Sequence, residues 1–258
     1  MNPREEFISF YTIVRKDVVR MFRIWVQTFL PSTITSALYF LIFGAFIGSR
    51  IGPMAGIPYV SFVVPGLVML AVITNAYSNV AFTFFMSKFF GRNIDEILVS
   101  PTPPWVLIGG YITGGVIRGL VVGLLVLLVS LFFTRVHIIH PFIVLAFFLL
   151  TALVFSLAGL INGIYAKSID GINIVPTFVL TPMIYLGGIF YSTAMLPGLW
   201  QKLTYLNPVF YIINGFRHGF FGFSDVSLFT AAGVLTAMTV ILVALNWYFI
   251  RTGLGLKQ

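Results

Sequence analysis

Residues 59–104 read YVSFVVPGLVMLAVITNAYSNVAFTFFMSKFFGRNIDEILVSPTPP. From Tyr59 to Ser87 no side chain carries a charge. About 20 apolar residues suffice to cross a bilayer as a helix, so this run is long enough to span. Lys88 closes it, and a polar stretch to Pro104 follows. Within the run, Asn75 and Asn79 share one helical face, with Thr74 and Ser78 beside them. A polar stripe in hydrocarbon either lines a path or bonds one helix to another. Within the polar stretch, Ile94, Ile97 and Leu98 share a face at helical spacing, and Asp95 and Glu96 lie opposite. A short amphipathic helix over 91–101 suits a partner's groove or a membrane surface.

Comparable apolar runs recur on both sides. The spacing predicts spans at about 26–48, 59–87, 105–133, 142–165, 173–194 and 226–250. The chain has 258 residues, 59% hydrophobic and 9% charged. Soluble domains carry roughly 25% charged residues, so the fold class is all-α integral membrane in one transmembrane domain, 1–258. Cysteine is absent, which removes disulfides, thiolate metal ligands and cysteine nucleophiles.

Residues 1–25 differ from the spans. Phe7, Phe10, Val14, Val18, Met21 and Trp25 recur every three to four residues, with Arg4, Arg15, Lys16, Arg20 and Arg23 between them. That pattern is a basic amphipathic helix suited to the interface plane. Residues 195–224 are apolar but interrupted by Pro197, Lys202, Asn207, Pro208, Asn214, Arg217 and His218. They read as short helices entering and leaving one membrane face.

Six spans put both termini on one side. With that side cytoplasmic, Arg4, Arg15, Lys16, Arg20, Arg23, Lys88, Arg92, Lys167, Arg251 and Lys257 face inward. Arg50, Arg135, Lys202 and Arg217 face outward, so the positive-inside bias favours this orientation. The net charge of +8 then reports cytoplasmic loops and anionic lipid, and no nucleic acid is expected.

Several chemistries are missing. There is no G-x-x-x-x-G-K-[ST] for ATP and no H-E-x-x-H for zinc. His137 and His140 stand three apart in the turn before Pro141, as a metal pair or as interfacial residues; no metal site is assigned. Asp17, Asp95, Glu96, Asp170 and Asp225 all fall outside the spans, which counts against a proton-coupled carrier. Arg118 lies inside the third span and needs a polar neighbour or a route to the surface. Glycines at small-xxx-small spacing (Gly44/Gly48, Gly110/Gly114, Gly115/Gly119/Gly123, Gly159/Gly163) let helices approach closely. Pro176 and Pro182 break the fifth span, and Gly187-Gly188 loosen it further.

Taken in order, these pieces resemble the membrane subunit of type-2 ABC exporters, in particular permeases of Gram-negative bacteria. The residues that carry the likeness are Phe155 to Leu160, Pro176-Thr177-Phe178-Val179-Leu180-Thr181-Pro182, Gly187 to Tyr191, Leu196-Pro197, Asn207-Pro208 and Phe216-Arg217. It extends over essentially the whole chain. The resemblance implies a bacterial inner-membrane permease without enzymatic activity of its own. It implies two copies working with two separate ATPase subunits, which would hold ATP and Mg. The segment 91–101, with Arg92, Ile94, Asp95, Glu96, Ile97 and Leu98, would be the coupling helix seated in the ATPase. The path would run between the two copies, with Asn75, Asn79, Phe82, Phe178 and Tyr185 as candidate lining residues. Asn207, Pro208 and Arg217 would belong to an outward re-entrant hairpin. The cargo would be hydrophobic, lipid-linked or amphipathic.

Two other classes compete. A carrier or channel without an ATPase would need an ion gradient. A lipid-modifying membrane enzyme would need clustered catalytic groups, and Arg217, His218 and Asp225 are the only such group.

Overall fold

A computed structural model describes residues 2–54, 56–89 and 102–255. Among them the regular elements are helices, apart from one isolated bridge between Met54 and Ile57. The first, α1 (Pro3–Arg23), starts where the Glu5 carboxylate accepts the Asn2 N–H at 3.0 Å. Ile24 leaves helical geometry at φ −110° and ψ 39°, and α2 (Trp25–Phe40) follows on a new axis. A wider π turn, Leu41–Ile47, carries it on. Then come α3 (Tyr59–Phe89), α4 (Pro104–Ser130) and α5 (Pro141–Tyr165).

Next, a helical course from Ile169 to Tyr185 is built in three pieces: α6 (Ile169–Val175), a π turn (Pro176–Leu180) and α7 (Thr181–Tyr185). Pro182 has no N–H to give. The Thr181 hydroxyl meanwhile donates to the Pro176 carbonyl at 2.8 Å. Beyond α7 lie α8 (Gly198–Tyr205), α9 (Pro208–Phe221) and α10 (Leu228–Thr252).

Among the described residues, five helices are long and apolar enough to cross a membrane: Trp25–Gly44, Tyr59–Phe89, Pro104–Ser130, Pro141–Tyr165 and Leu228–Thr252. The run expected to span over 173–194 is not one helix. It stops at Tyr185 because the chain turns at Gly187-Gly188. Gly188 takes φ 83°, which a side chain would oppose. Residues 186–194 therefore belong with the interrupted segment that follows.

The core forms around α3, which is buried along most of its length, with Ser78 and Phe82 exposed, and packs along α4 and α5. Glycine makes this possible. Gly115, Gly119 and Gly123 of α4 face Val80, Ala76 and Val72 of α3. Gly159 and Gly163 of α5 face the α3 backbone at Tyr77 and Ala81. Lipid gives helices no apolar drive to associate, so close backbone contact has to supply it. By contrast α10 buries only a stripe, Ala231, Leu235, Asn246 and Ile250, and exposes Phe229, Val240, Ile241 and Tyr248.

Candidate functional site

The first feature that joins separate elements is ionic. α1 seats Phe10, Ile13 and Asp17 on Gly109, Gly110 and Gly114 of α4. Asp17 is thereby 4% exposed. Its carboxylate accepts from the Arg20 guanidinium at 2.6 Å and from Asn79 Nδ2 of α3 at 2.7 Å. Arg20 also donates to the Thr83 hydroxyl. Arg118 of α4 donates to Asn79 Oδ1 at 3.3 Å, so it reaches Asp17 only through the amide. Three helices therefore meet in one buried polar network containing one carboxylate and two guanidinium groups. By sequence the expected spans hold no carboxylate; Asp17 lies outside them in the chain and is buried against α3 and α4 in space. Its position on the apolar stripe, three residues after Val14 and four before Met21, is the signal that a reading by spans misses.

One end of the bundle gathers chain ends. Lys88 Nζ, at the foot of α3, donates to the Ile164 carbonyl at 2.8 Å and to the Gly255 carbonyl at 2.5 Å. It ties the last turn of α5 and the Gly255 backbone to the end of α3. Nearby, Ser168 caps α6 by accepting the Gly171 N–H at 3.0 Å. Asn162 of α5 donates to the Ile172 carbonyl at 2.9 Å. Arg92, Ile94, Asp95, Glu96, Ile97 and Leu98 lie outside the described residues.

At the opposite end, the interrupted segment is closely wired. Asn207 accepts the Val209 N–H at 3.0 Å and gives its amide to the Met183 carbonyl, while Pro208 opens α9. Arg217 is 1% exposed; it donates to the Gly188 carbonyl at 2.7 Å and lies 3.9 Å from the Phe62 ring centroid. Burial pulls its guanidinium down to about 10 with Asp225 opposing, so it stays protonated at neutral pH. Asp225 itself accepts from Ser192 and from both the N–H and hydroxyl of Thr193. These contacts hold the Gly188 turn against α3. His218 stacks on His140 at 5.8 Å, and no group of three metal-ligating side chains occurs among the described residues. Of the trio, Arg217 and Asp225 are engaged in hydrogen bonds that hold the fold, and His218 in a ring contact.

A third feature is aromatic. The Tyr39 and Tyr185 hydroxyls bond at 2.6 Å, and the Phe43 and Phe190 rings stack at 4.2 Å. Tyr185 stacks on Phe190 in turn, so α2 and α7 share an aromatic wall. Phe178 on the π turn is 73% exposed, and Phe82 of α3 is exposed too. Asn75 is buried and donates to Ser32 of α2 at 3.0 Å. Asn75 and Asn79 thus both face neighbouring helices within this chain. Phe190 falls in the Gly187–Tyr191 stretch that the sequence marks, but nothing in the sequence pairs it with Tyr39, which comes from a distant helix.

The family profile described as "ABC-2 type transporter" matches residues 8–221. "Inner membrane transport permease YadH" of Escherichia coli (strain K12) is 53% identical over 253 residues, covering 98% of this chain and 98% of its own length. "Nodulation protein J" of Sinorhizobium fredii (strain NBRC 101917 / NGR234) is 27% identical over 191 residues, 73% of this chain and 71% of its own. "Nodulation protein J" of Rhizobium meliloti (strain 1021) is 22% identical over 236 residues, with 90% and 89% covered.

Proposed function

Because the chain belongs to the ABC-2 type transporter family, as a multi-pass inner-membrane permease rather than an enzyme, we propose that it forms the path of an ATP-driven exporter. Two copies work with two ATPase subunits, and ATP and Mg are held there. The near full-length likeness to an inner-membrane permease carries this reading. The transmembrane domain has six crossings. The five long helices supply five, and the course from Ile169 through the Gly188 turn supplies the sixth. The end marked by Lys88 faces the cytoplasm, in line with the excess of Lys and Arg there. Residues 195–224 form the outward re-entrant hairpin.

Coupling follows from the polar network. ATP closes the ATPase pair and pushes on 91–101, which leaves the bundle at Lys88. Because Asp17 ties α1 to Asn79, the first helix moves with α3 rather than sliding over it. The aromatic wall of Tyr39, Phe43, Tyr185 and Phe190, together with Phe178, forms the path surface. It suits a hydrophobic or amphipathic cargo, because rings offer apolar faces and two hydroxyls. A gradient-driven carrier is the second reading, favoured only by the buried Asp17 carboxylate. Arg20 and Asn79 engage that group within the chain, which makes it a tie between helices.

The deciding experiment is purification of the chain from its own membranes with and without a non-hydrolysable ATP analogue, read by native mass and ATPase activity. The expected result is a four-chain complex, two copies and two ATPases. A monomer or homodimer without ATPase overturns the reading. Within the complex, Asp95→Arg combined with Glu96→Arg is expected to abolish ATPase-coupled transport while membrane insertion stays normal.

A further inference from the structure

A cavity of about 540 Å³ opens at the end of the bundle remote from Lys88. That volume is within the roughly 300–1,000 Å³ typical of small-ligand sites. Three separate segments wall it. The turn at 56–58 is fixed by paired backbone bonds between Met54 and Ile57 at 2.8 and 2.9 Å. The 134–139 connection is pinned where the Ile139 and His140 N–H groups both donate to the Gly219 carbonyl. The end of α9 supplies Phe220 and Phe221. The pocket is thus built by tertiary contacts, not by one loose loop.

Its chemistry is two-sided. Ile57, Pro58, Ile139, Phe220 and Phe221 give apolar walls. The two wall hydroxyls, Ser61 and Thr134, bond each other at 2.6 Å and so ask little of water. Arg135 and His137 complete the lining. The one ion pair among the described residues is Asp17 with Arg20, far along the chain, so Arg135 has no carboxylate partner. Asp225, the one acid after Asp170, is spent on Ser192 and Thr193. Next to the lining residues in the chain, Phe132, Phe133, Ile138 and Phe142 are exposed, an apolar skirt on either side of Arg135 in sequence. An apolar slot with a cation at its mouth, set in such a skirt, matches one molecular class: an acyl chain bearing an anionic headgroup.

We propose that this cavity holds one acyl chain of an anionic membrane phospholipid, with its phosphate against Arg135. The site is distinct from the aromatic wall and from the polar network. It does not depend on an ATPase partner, so it stands or falls apart from the transport reading. A resident lipid here wedges the 56–58 turn, the 134–139 connection and α9 together, and it makes that end of the permease sensitive to lipid composition.

The test is native mass spectrometry of the purified, delipidated chain. The titrants are phosphatidylglycerol and phosphatidylcholine with identical acyl chains. Wild type is expected to prefer phosphatidylglycerol. Arg135→Gln is expected to weaken that lipid by about fivefold and remove the preference, as loss of one cation near an anionic headgroup implies. Arg135→Lys is expected to keep it. Ile139→Trp, which fills the slot from an exposed position, is expected to weaken both lipids. If that variant elutes as misfolded material, the two Arg135 variants decide alone. Equal binding of the two lipids by wild type, or an Arg135→Gln chain that binds phosphatidylglycerol like wild type, overturns the proposal. Recovery of an anionic molecule other than a phospholipid from the site overturns it as well.

Discussion

Asp17 accepts one hydrogen bond from its own helix and two from α3, from Asn79 and from the Thr83 hydroxyl, and the two sides meet different needs. The Arg20 contact neutralises it; the Asn79 contact fixes where α1 lies. Breaking one side of a buried pair strands the other, whereas exposed pairs contribute little. Arg20 keeps some solvent access, so the cost is moderate. Asp17→Asn is expected to lower stability in detergent by about 1–3 kcal/mol, read as a reduced thermal midpoint. Adding Arg20→Gln is expected to cost less than the sum of the two single changes, because the second change removes the stranded cation. Asn79 shows how far single residues are legible. Its spacing from Asn75 marked both as polar groups that needed partners. Naming those partners required the fold, since Asp17 and Ser32 come from helices that nothing in the sequence places beside α3.

Helix existence was legible because long apolar runs dominate the chain, and the glycine spacing foretold close packing. Gly159 faces the Tyr77 carbonyl so closely that any Cβ would collide with backbone. Gly159→Val is expected to force α5 away from α3 and cost about 1–3 kcal/mol, measured as a lower thermal midpoint and a fall in folded yield. The fifth run was misjudged in extent for a physical reason. Hydropathy continues through Ile189, Phe190 and Tyr191, but Gly188 turns the backbone, and Arg217 and Asp225 hold the turn in place. Hydropathy counts side chains and is blind to dihedral angles. Lys88 makes the converse point, since a residue that merely ended a span in sequence is a strut in space. Lys88→Gln is expected to speed amide exchange at 253–255 while the α3 core stays protected.

At the scale of the molecule, two ends of the bundle are built differently. At the Lys88 end, hydrogen bonds collect a helix foot, a helix end and the tail. At the other, a cation buried on an aromatic ring and a carboxylate-capped turn hold an irregular segment. Between them stands the aromatic wall, where Tyr39 of α2 meets Tyr185 of α7.

The tie between Asp17 and its partners also has a consequence for biosynthesis. A ribosome releases Asp17 well before Asn79, and Arg118 only after α3 has been made. Until then α1 has three acids, several bases and no seat. An amphipathic helix can wait at the surface of the bilayer with its charges in water. It docks once α4 arrives with Gly114 and Arg118. The amphipathic pattern of residues 1–25 thus describes the nascent chain, and the buried carboxylate describes the mature one.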